Sequence, residues 1–269
     1  MYALLRRGDR LPTVAVLQVL LNRQIAGKKL AVDGIFGEKT KKAVIDFQKP
    51  RGLKPDGIVG KITWPRLIAA TNFKVVDAVD ITDPDVLNTE GADIKDVGGR
   101  PIFTGAMCNG IGEVVQRILM RTSSDGSLVL LRFFGHGASA NMGISDGEGY
   151  IEDRRGRRTF LEDASRTAIT NKNFSAVAPT LGRLWFAFGV YSSVELHGCE
   201  VARGVAGRQL VQRLAGLWGV PVSAGTQSQY GGCVSTFRFE GPVYAAFPAG
   251  HTLRSWSRAL PALTEMSIP

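Results

Sequence analysis

The run Leu128–Phe134, LVLLRFF, is apolar at every position but Arg132. A strand of this kind has no polar face to leave in water, so it must lie in a sheet covered on both sides. That requirement demands further buried strands as neighbours and helices to cover them. Residues 194–196 and 220–224 are short apolar runs suited to be the neighbours, with amphipathic stretches between. In 111–120, Ile111, Val114, Val115, Ile118 and Leu119 share one helical face; in 207–219, Leu210, Val211, Leu214 and Leu217 do. Residues 177–190 are apolar enough for another helix, with Pro179 near its start. Alternating strands and helices predict an α/β domain: a mostly parallel sheet, helices on both faces and right-handed crossovers. Residues 235–239 and 243–247 are expected to pair as a closing hairpin around Glu240-Gly241-Pro242.

The rest of the chain reads differently. Residues 1–71 hold fourteen Lys/Arg against five Asp/Glu, a charge of +9, whereas 72–269 hold nineteen of each. All the net charge therefore sits on about a quarter of the 269 residues, which points to two domains with different partners. The basic part carries an internal near-repeat. Asp33-Gly34-Ile35-Phe36-Gly37 precedes EKTKKAVIDFQK, and Asp56-Gly57-Ile58-Val59-Gly60 precedes KITWPRLIAA. In each copy an Asp-Gly turn sets an Ile inward and a second Gly opens a helix. With the helical spacing of Val14, Leu17 and Leu21 behind Thr13 as N-cap, this predicts a small all-α, three-helix unit.

These residues, from LRRGDRLPTVAVLQVLLNR through LAVDGIFGEKTKKAVIDFQKPRGLKPDGIVGKITWPRLIAA, resemble a peptidoglycan-binding domain of the repeat-type bacterial family. The resemblance implies a non-catalytic module in 1–71 that holds an attached enzyme on peptidoglycan or another anionic wall polymer. Its basic charge suits stem-peptide carboxylates through an attraction that salt would screen. No aromatic-interleaved face, zinc pattern or recognition helix points to nucleic acid. No apolar run approaches the ~20 residues of a membrane span. The start, MYALLRRGDRL, puts its arginines after a short apolar stretch, the reverse of a Sec-type signal. A location in the periplasm or cell wall is therefore expected, reached by another route or after processing. Residues 72–100, with few apolar clusters apart from 73–76, are read as a linker or lead-in, and 101–269 as the second domain.

The chemistry is expected where two apolar strands end. Leu128–Phe134 runs into Gly135-His136-Gly137, and 194–196 runs into His197-Gly198-Cys199. Parallel strands end at the same edge of a sheet, so His136 and Cys199 can be neighbours. A thiol is only a few per cent ionised at pH 7. An adjacent imidazole can take its proton and later give it to a leaving amine. The flanking glycines allow close approach and would let the N–H groups of Gly137 and Cys199 face a developing oxyanion. A strand-end cysteine alone is commonly a small buried hydrophobe; the Gly-flanked histidine on the matching strand is what points to catalysis.

FFGHG and VELHGC, in that order, resemble the caspase-like cysteine peptidases. Within them, ELHGCEVARGVAGRQLVQRLAGLWGVPVSAG is most similar to a bacterial caspase-like domain, over roughly 100–247. The resemblance implies Cys199 as nucleophile, His136 as proton shuttle and Gly137 at the oxyanion position, acting without a cofactor on a peptide or protein substrate. Glu-Val-Ala follows the cysteine where caspases have an Arg-Gly run, so aspartate specificity is not implied. Glu195, Glu200 and Asp146 are candidates to bind a basic substrate side chain. His197 is read as structural and as a minor rival for the base. Cys108 and Cys233 are read as packing or surface thiols, with Cys233 a further candidate to line the cleft. Three histidines without paired ligand spacing argue against a zinc site. The competing functions are a wall-degrading amidase or endopeptidase and a non-catalytic wall-binding interaction or toxin module.

Overall fold

The computed structural model describes residues 3–24, 29–69, 71–82, 84–105, 109–122, 126–145, 150–152, 155, 158–160, 166–232 and 235–263. They fall into two compact units, Tyr2–Lys74 with Ala249–Pro269, and Val75–Pro248.

The N-terminal unit is built on α1 (Pro12–Gln24), α2 (Glu38–Gln48) and α3 (Thr63–Ile68). Leu17, Leu20, Leu21, Val44, Phe47 and Trp64 are buried between them. The sequence repeat becomes a structural one through two glutamines that the apolar pattern conceals. Gln18 on α1, 1% exposed, donates from Nε2 to Asp33 Oδ1, the Ile35 carbonyl and Thr40 Oγ1, at 2.9, 3.1 and 3.2 Å. Its Oε1 accepts from the N–H groups of Asp33 and Gly34. Gln48 on α2 repeats this on the second turn. It donates to Asp56 Oδ1, the Ile58 carbonyl and Thr63 Oγ1 at 3.3, 2.9 and 3.2 Å, and accepts from Gly57 N–H at 3.0 Å. Asp33 and Asp56 each cap their own turn through the N–H two residues on. Each glutamine thus satisfies backbone groups that burial would otherwise orphan. Gln48→Leu keeps the volume but strands the Gly57 N–H, while the Ile58 carbonyl still accepts from Thr63 Oγ1 at 3.3 Å. At ~1–3 kcal/mol for an unsatisfied buried group, about 1–3 kcal/mol of stability should be lost on urea denaturation of the intact chain.

The second unit begins earlier than its apolar clusters suggest. Within 72–100, read from the sequence as a linker or lead-in, β1 (Lys74–Asp80) is a strand inside the sheet. Asp77 and Asp80 interrupt its apolar alternation and disguise it, yet both are buried. A short helical segment follows: α4 (Pro84–Val86), a π turn (Leu87–Gly91) and α5 (Ala92–Asp96). Then come β2 (Ile102–Thr104), α6 (Gly110–Thr122) and β3 (Leu128–Phe134). The strands β4 (Gly137–Ala138), β5 (Asn141–Gly143) and β8 (Ala168–Thr170) form a small sheet, and β6 (Tyr150–Glu152) pairs with β7 (Arg158–Phe160). The chain continues through α7 (Phe174–Gly182), a 3-10 turn (Arg183–Ala187), β9 (Phe188–His197), α8 (Gly204–Trp218), β10 (Val222–Gly225) and β11 (Val243–Ala246). The last helix, α9 (Leu253–Ala259), packs on α1; residues 249–263, assigned from the sequence to the second domain, thus group with the N-terminal unit.

The main sheet has the order β11-β10-β9-β3-β1-β2. The pairs β1–β2, β3–β9 and β9–β10 are parallel, and β11 is antiparallel to β10. The expected hairpin of 235–239 with 243–247 is not formed. Residues 235–237 make a 3-10 turn, and 243–246 pair with β10 instead. The alternation in STFRF imitates a strand because Phe237 and Phe239 both turn inward. The expected helix 177–190 is likewise shorter, since residues from 188 onward belong to β9.

The two faces of the sheet differ. One is an apolar core in which Val76, Ala78, Leu131, Phe133, Val194, Leu196, Val222 and Ala224 meet α6, α7 and α8. The other carries Asp77, Arg132, Phe134, Ser193, Glu195, His197 and Ser223, all buried. The segment α4–α5 lies on this side, with Lys95 over the Phe103 ring and Asp93 accepting from Thr236 Oγ1 at 2.7 Å.

Candidate functional site

β3 and β9 lie side by side in a register that sets Phe134 opposite His197. Two residues beyond these strand ends, His136 and Cys199 stand at the same edge of the sheet. The approach is close because the turns are glycine. A Cβ on Gly137 would come within 2.7 Å of the Cys199 carbonyl oxygen and 2.8 Å of its nitrogen. One on Gly198 would come within 2.9 Å of Met142 Sδ and 3.2 Å of the Gly135 carbonyl oxygen. A side chain at Gly137 would force the two turns apart, whereas one at Gly198 would first displace Met142. The His136 carbonyl accepts from Gly143 N–H at 2.8 Å, which ties the histidine turn to β5, while the residue itself is exposed.

Cys199 is half-buried, and its thiol is a free one. Sγ donates to the Gln229 carbonyl and accepts from the Gln229 N–H, each at 3.3 Å. The loop that provides these groups is pinned by its own side chain. Gln229 Nε2 donates to the Glu240 carbonyl at 2.8 Å and Oε1 accepts the Glu240 N–H at 2.9 Å. After the cysteine, Glu200 takes a left-handed backbone, φ 57, uncommon for a residue with a side chain. Its N–H donates to the Gln227 carbonyl at 3.0 Å. The turn from β9 into α8 is thereby latched to the loop after β10.

Of the carboxylates expected to face a substrate, Glu195 is placed otherwise. The Glu195 side chain is 3% exposed, inside the sheet, with Oε2 3.1 Å from His197 Nε2. Its position within an alternating strand, one residue out of phase with Val194 and Leu196, sends it to the polar buried face and away from a substrate. Glu200 pairs with Arg203 at 2.8 Å on the surface. Asp146 lies outside the described residues, as do Cys108 and Cys233. His197 is clamped between Phe134 and Phe239, with ring centroids 4.7 and 4.4 Å away, and its side chain is 5% exposed. Covered on both ring faces and held by Glu195, it serves as a structural member of the second face.

Two groups of residues escaped the sequence reading. Asp80, buried at the end of β1, lies under the histidine turn: a Cβ on Gly143 would be 3.4 Å from Asp80 Oδ2, and one on Gly135 would be 3.1 Å from Asp80 Cβ. Asp77, three residues earlier and on the other face of β1, binds the fully buried Arg132 at 2.7 Å. Burial pushes the Asp77 carboxyl up, while the charge and hydrogen bond of Arg132 pull it down; the net result lies below the usual carboxylate value. An arginine inside LVLLRFF was the available signal, since a buried guanidinium requires a buried carboxylate. Nearby, burial raises the Glu90 carboxyl above its usual value despite a hydrogen bond from Thr89. Among the described residues, no group of three or more His, Cys, Asp or Glu could hold a metal ion, and no helix is long and apolar enough to cross a membrane.

Residues 10–67 match the family model described as "Putative peptidoglycan binding domain". Residues 162–232, which include Cys199 and Gln229, match one described as "Domain of unknown function (DUF4347)". Over 64 residues, 24% of this chain, the sequence is 47% identical to an "Uncharacterized protein in bpoA1 3'region" of Kitasatospora aureofaciens. The match covers 54% of that protein, so the chain spans about half the length of this curated relative. No solved structure matches the chain. The first of these matches supports a peptidoglycan-binding domain at the N-terminus, followed by an α/β unit with a mostly parallel sheet.

Proposed function

We propose that the chain is a cell-wall-associated cysteine hydrolase of caspase-like type, which cuts an amide bond with Cys199 and His136. The observation that carries this reading is the β3–β9 register, which brings the two glycine-flanked turns to the same edge. In the reaction, His136 accepts the thiol proton and Sγ attacks the substrate carbonyl carbon. The C–N bond breaks as the imidazolium returns the proton to the leaving amine. Water then hydrolyses the thioester, releasing the carboxylic acid and restoring the thiol. The Gly137 and Cys199 N–H groups are the candidates to stabilise the oxyanion. The N-terminal domain would hold the enzyme on the wall in the periplasm or outside the cell. The substrate is then a protein at the wall or, in the amidase or endopeptidase variant, the wall peptide itself.

A second reading, a wall-binding interaction or toxin module without catalysis, is favoured by one feature: the Cys199 thiol is already engaged by the backbone of Gln229. Alkylation separates the two. The intact protein is treated with iodoacetamide at pH 7, and modification of Cys199 is followed by peptide mass spectrometry. A dyad gives a rate about tenfold or more above that of the urea-unfolded chain, falling toward it in His136→Ala. A Cys199 that reacts no faster when folded, with or without His136, supports the non-catalytic module.

A further inference from the structure

The N-terminal unit holds a groove of about 810 Å³, bordered by α1, residues 29–31, α2 and the turn after it. Its floor is apolar, made by Leu21, Ala43 and Phe47. On α2, Lys39, Lys42, Ala43, Asp46 and Phe47 follow helical spacing, so one stripe of that helix supplies both floor and rim. Lys29 stands on the opposite wall, and Arg51 closes one end. The Arg51 guanidinium lies 3.9 Å over the Phe47 ring and donates to the Phe47 carbonyl and to Gln24 Oε1, each at 3.1 Å. Stacking and two hydrogen bonds hold that cation as a fixed plane. Among the described residues, the groove is lined by four cations, Lys29, Lys39, Lys42 and Arg51, against one carboxylate, Asp46, which pairs with Lys42 at 2.6 Å.

We infer that this groove is the wall-binding site, and that it takes the stem peptide of peptidoglycan, with carboxylates on the basic rim and alkyl side chains on the floor. The inference rests on the wall-binding reading above and adds the site and the part of the polymer recognised. A basic surface alone would suit any polyanion. An apolar floor between the cations suits a short peptide with both carboxylates and methyl groups better than a phosphate polymer or a bare sugar strand. The two Asp-Gly turns are not needed as ligands, since their polar groups are taken up by Gln18, Gln48 and their own aspartates.

The test is sedimentation of the full chain with purified sacculi, in the Cys199→Ala background so that the wall stays uncut. The parent should bind, and should bind equally after hydrofluoric acid strips phosphate polymers from the sacculi. It should bind weakly once wall carboxylates are converted to amides. Lys39→Glu/Lys42→Glu should weaken binding about tenfold or more, and Arg51→Ala should also weaken it. Lys54→Glu/Lys61→Glu, the same charge change on exposed residues outside the groove, should cost less than about threefold. Circular dichroism on each variant establishes that it is folded. A parent that does not sediment overturns the wall reading, and the groove with it. A parent that binds while the groove variants match it overturns the groove alone. Equal loss in both charge pairs reduces the interaction to net charge and overturns the site, and loss on phosphate removal overturns the stem peptide as ligand.

Discussion

Cys199→Ala should leave the chain folded and lower amide hydrolysis by about a thousandfold or more, roughly 4 kcal/mol in the transition state. The two halves of that expectation have separate grounds. Cys199 is half-buried and its thiol bonds only with the backbone of Gln229, so truncation costs about 1 kcal/mol or less of stability. Gln229 keeps its place without the thiol, because its side chain holds the Glu240 backbone. The reaction, in contrast, has no other thiol to attack from at this edge among the described residues. His136→Ala should cost about a hundredfold or more, the usual range for a positioned acid–base group. A peptide library and isolated sacculi, each digested with wild type and both variants, provide the readout. Equal cutting by wild type and Cys199→Ala would falsify the dyad. Cutting of sacculi alone would make the enzyme a wall hydrolase.

Asp77→Ala should destabilise the second unit by about 3–5 kcal/mol, because it leaves the guanidinium of Arg132 buried without its carboxylate. Arg132 is fully buried and lies between the Phe134 and Phe237 rings, 5.4 and 5.5 Å from their centroids, so it cannot reach water without opening the second face of the sheet. The double replacement Asp77→Leu/Arg132→Met should recover most of the loss, since it removes both charges and keeps volume. Urea denaturation of the three variants measures this. Equal midpoints for wild type and Asp77→Ala would show that the pair contributes nothing. The same pair gives an acid dependence whose sign follows from its shift. The Asp77 carboxyl titrates lower when folded than its usual 3.8. Its contribution is therefore fully present above that value and is lost as pH falls below it, when protonation favours the unfolded chain. Asp77→Leu/Arg132→Met should lack that component of acid sensitivity.

These two predictions draw on opposite kinds of legibility. The shared sheet edge of Cys199 and His136 is legible because each follows an apolar strand through a glycine turn, and parallel neighbours point the same way. Asp77 is not, because KVVDAVD looks too acidic to be buried until Arg132 is known to lie across from it. The glutamines of the N-terminal unit were concealed for a related reason. Each is polar within an amphipathic helix and reads as surface, yet each faces an Asp-Gly turn whose backbone needs its amide. Glu195 shows the converse: a carboxylate near a nucleophile reads as a substrate contact, and strand parity turns it into the partner of a buried histidine.

The features legible in the amino-acid order alone are therefore local. Period and turn chemistry specify the helices of the basic N-terminal unit and the strands that carry the histidine and the cysteine. They do so because hydrophobic periodicity and Asp-Gly or His-Gly turns are decided by near neighbours. Only the tertiary structure decided what depends on pairing across the chain. It placed β1 inside the sheet, sent Glu195 and His197 to a buried polar face, and matched β11 with β10. It also set the register that brings Gly137 against Cys199. A buried charge is tolerable only beside its partner, and a strand's two faces acquire meaning only when something covers them. Both conditions are met by residues far away in the chain.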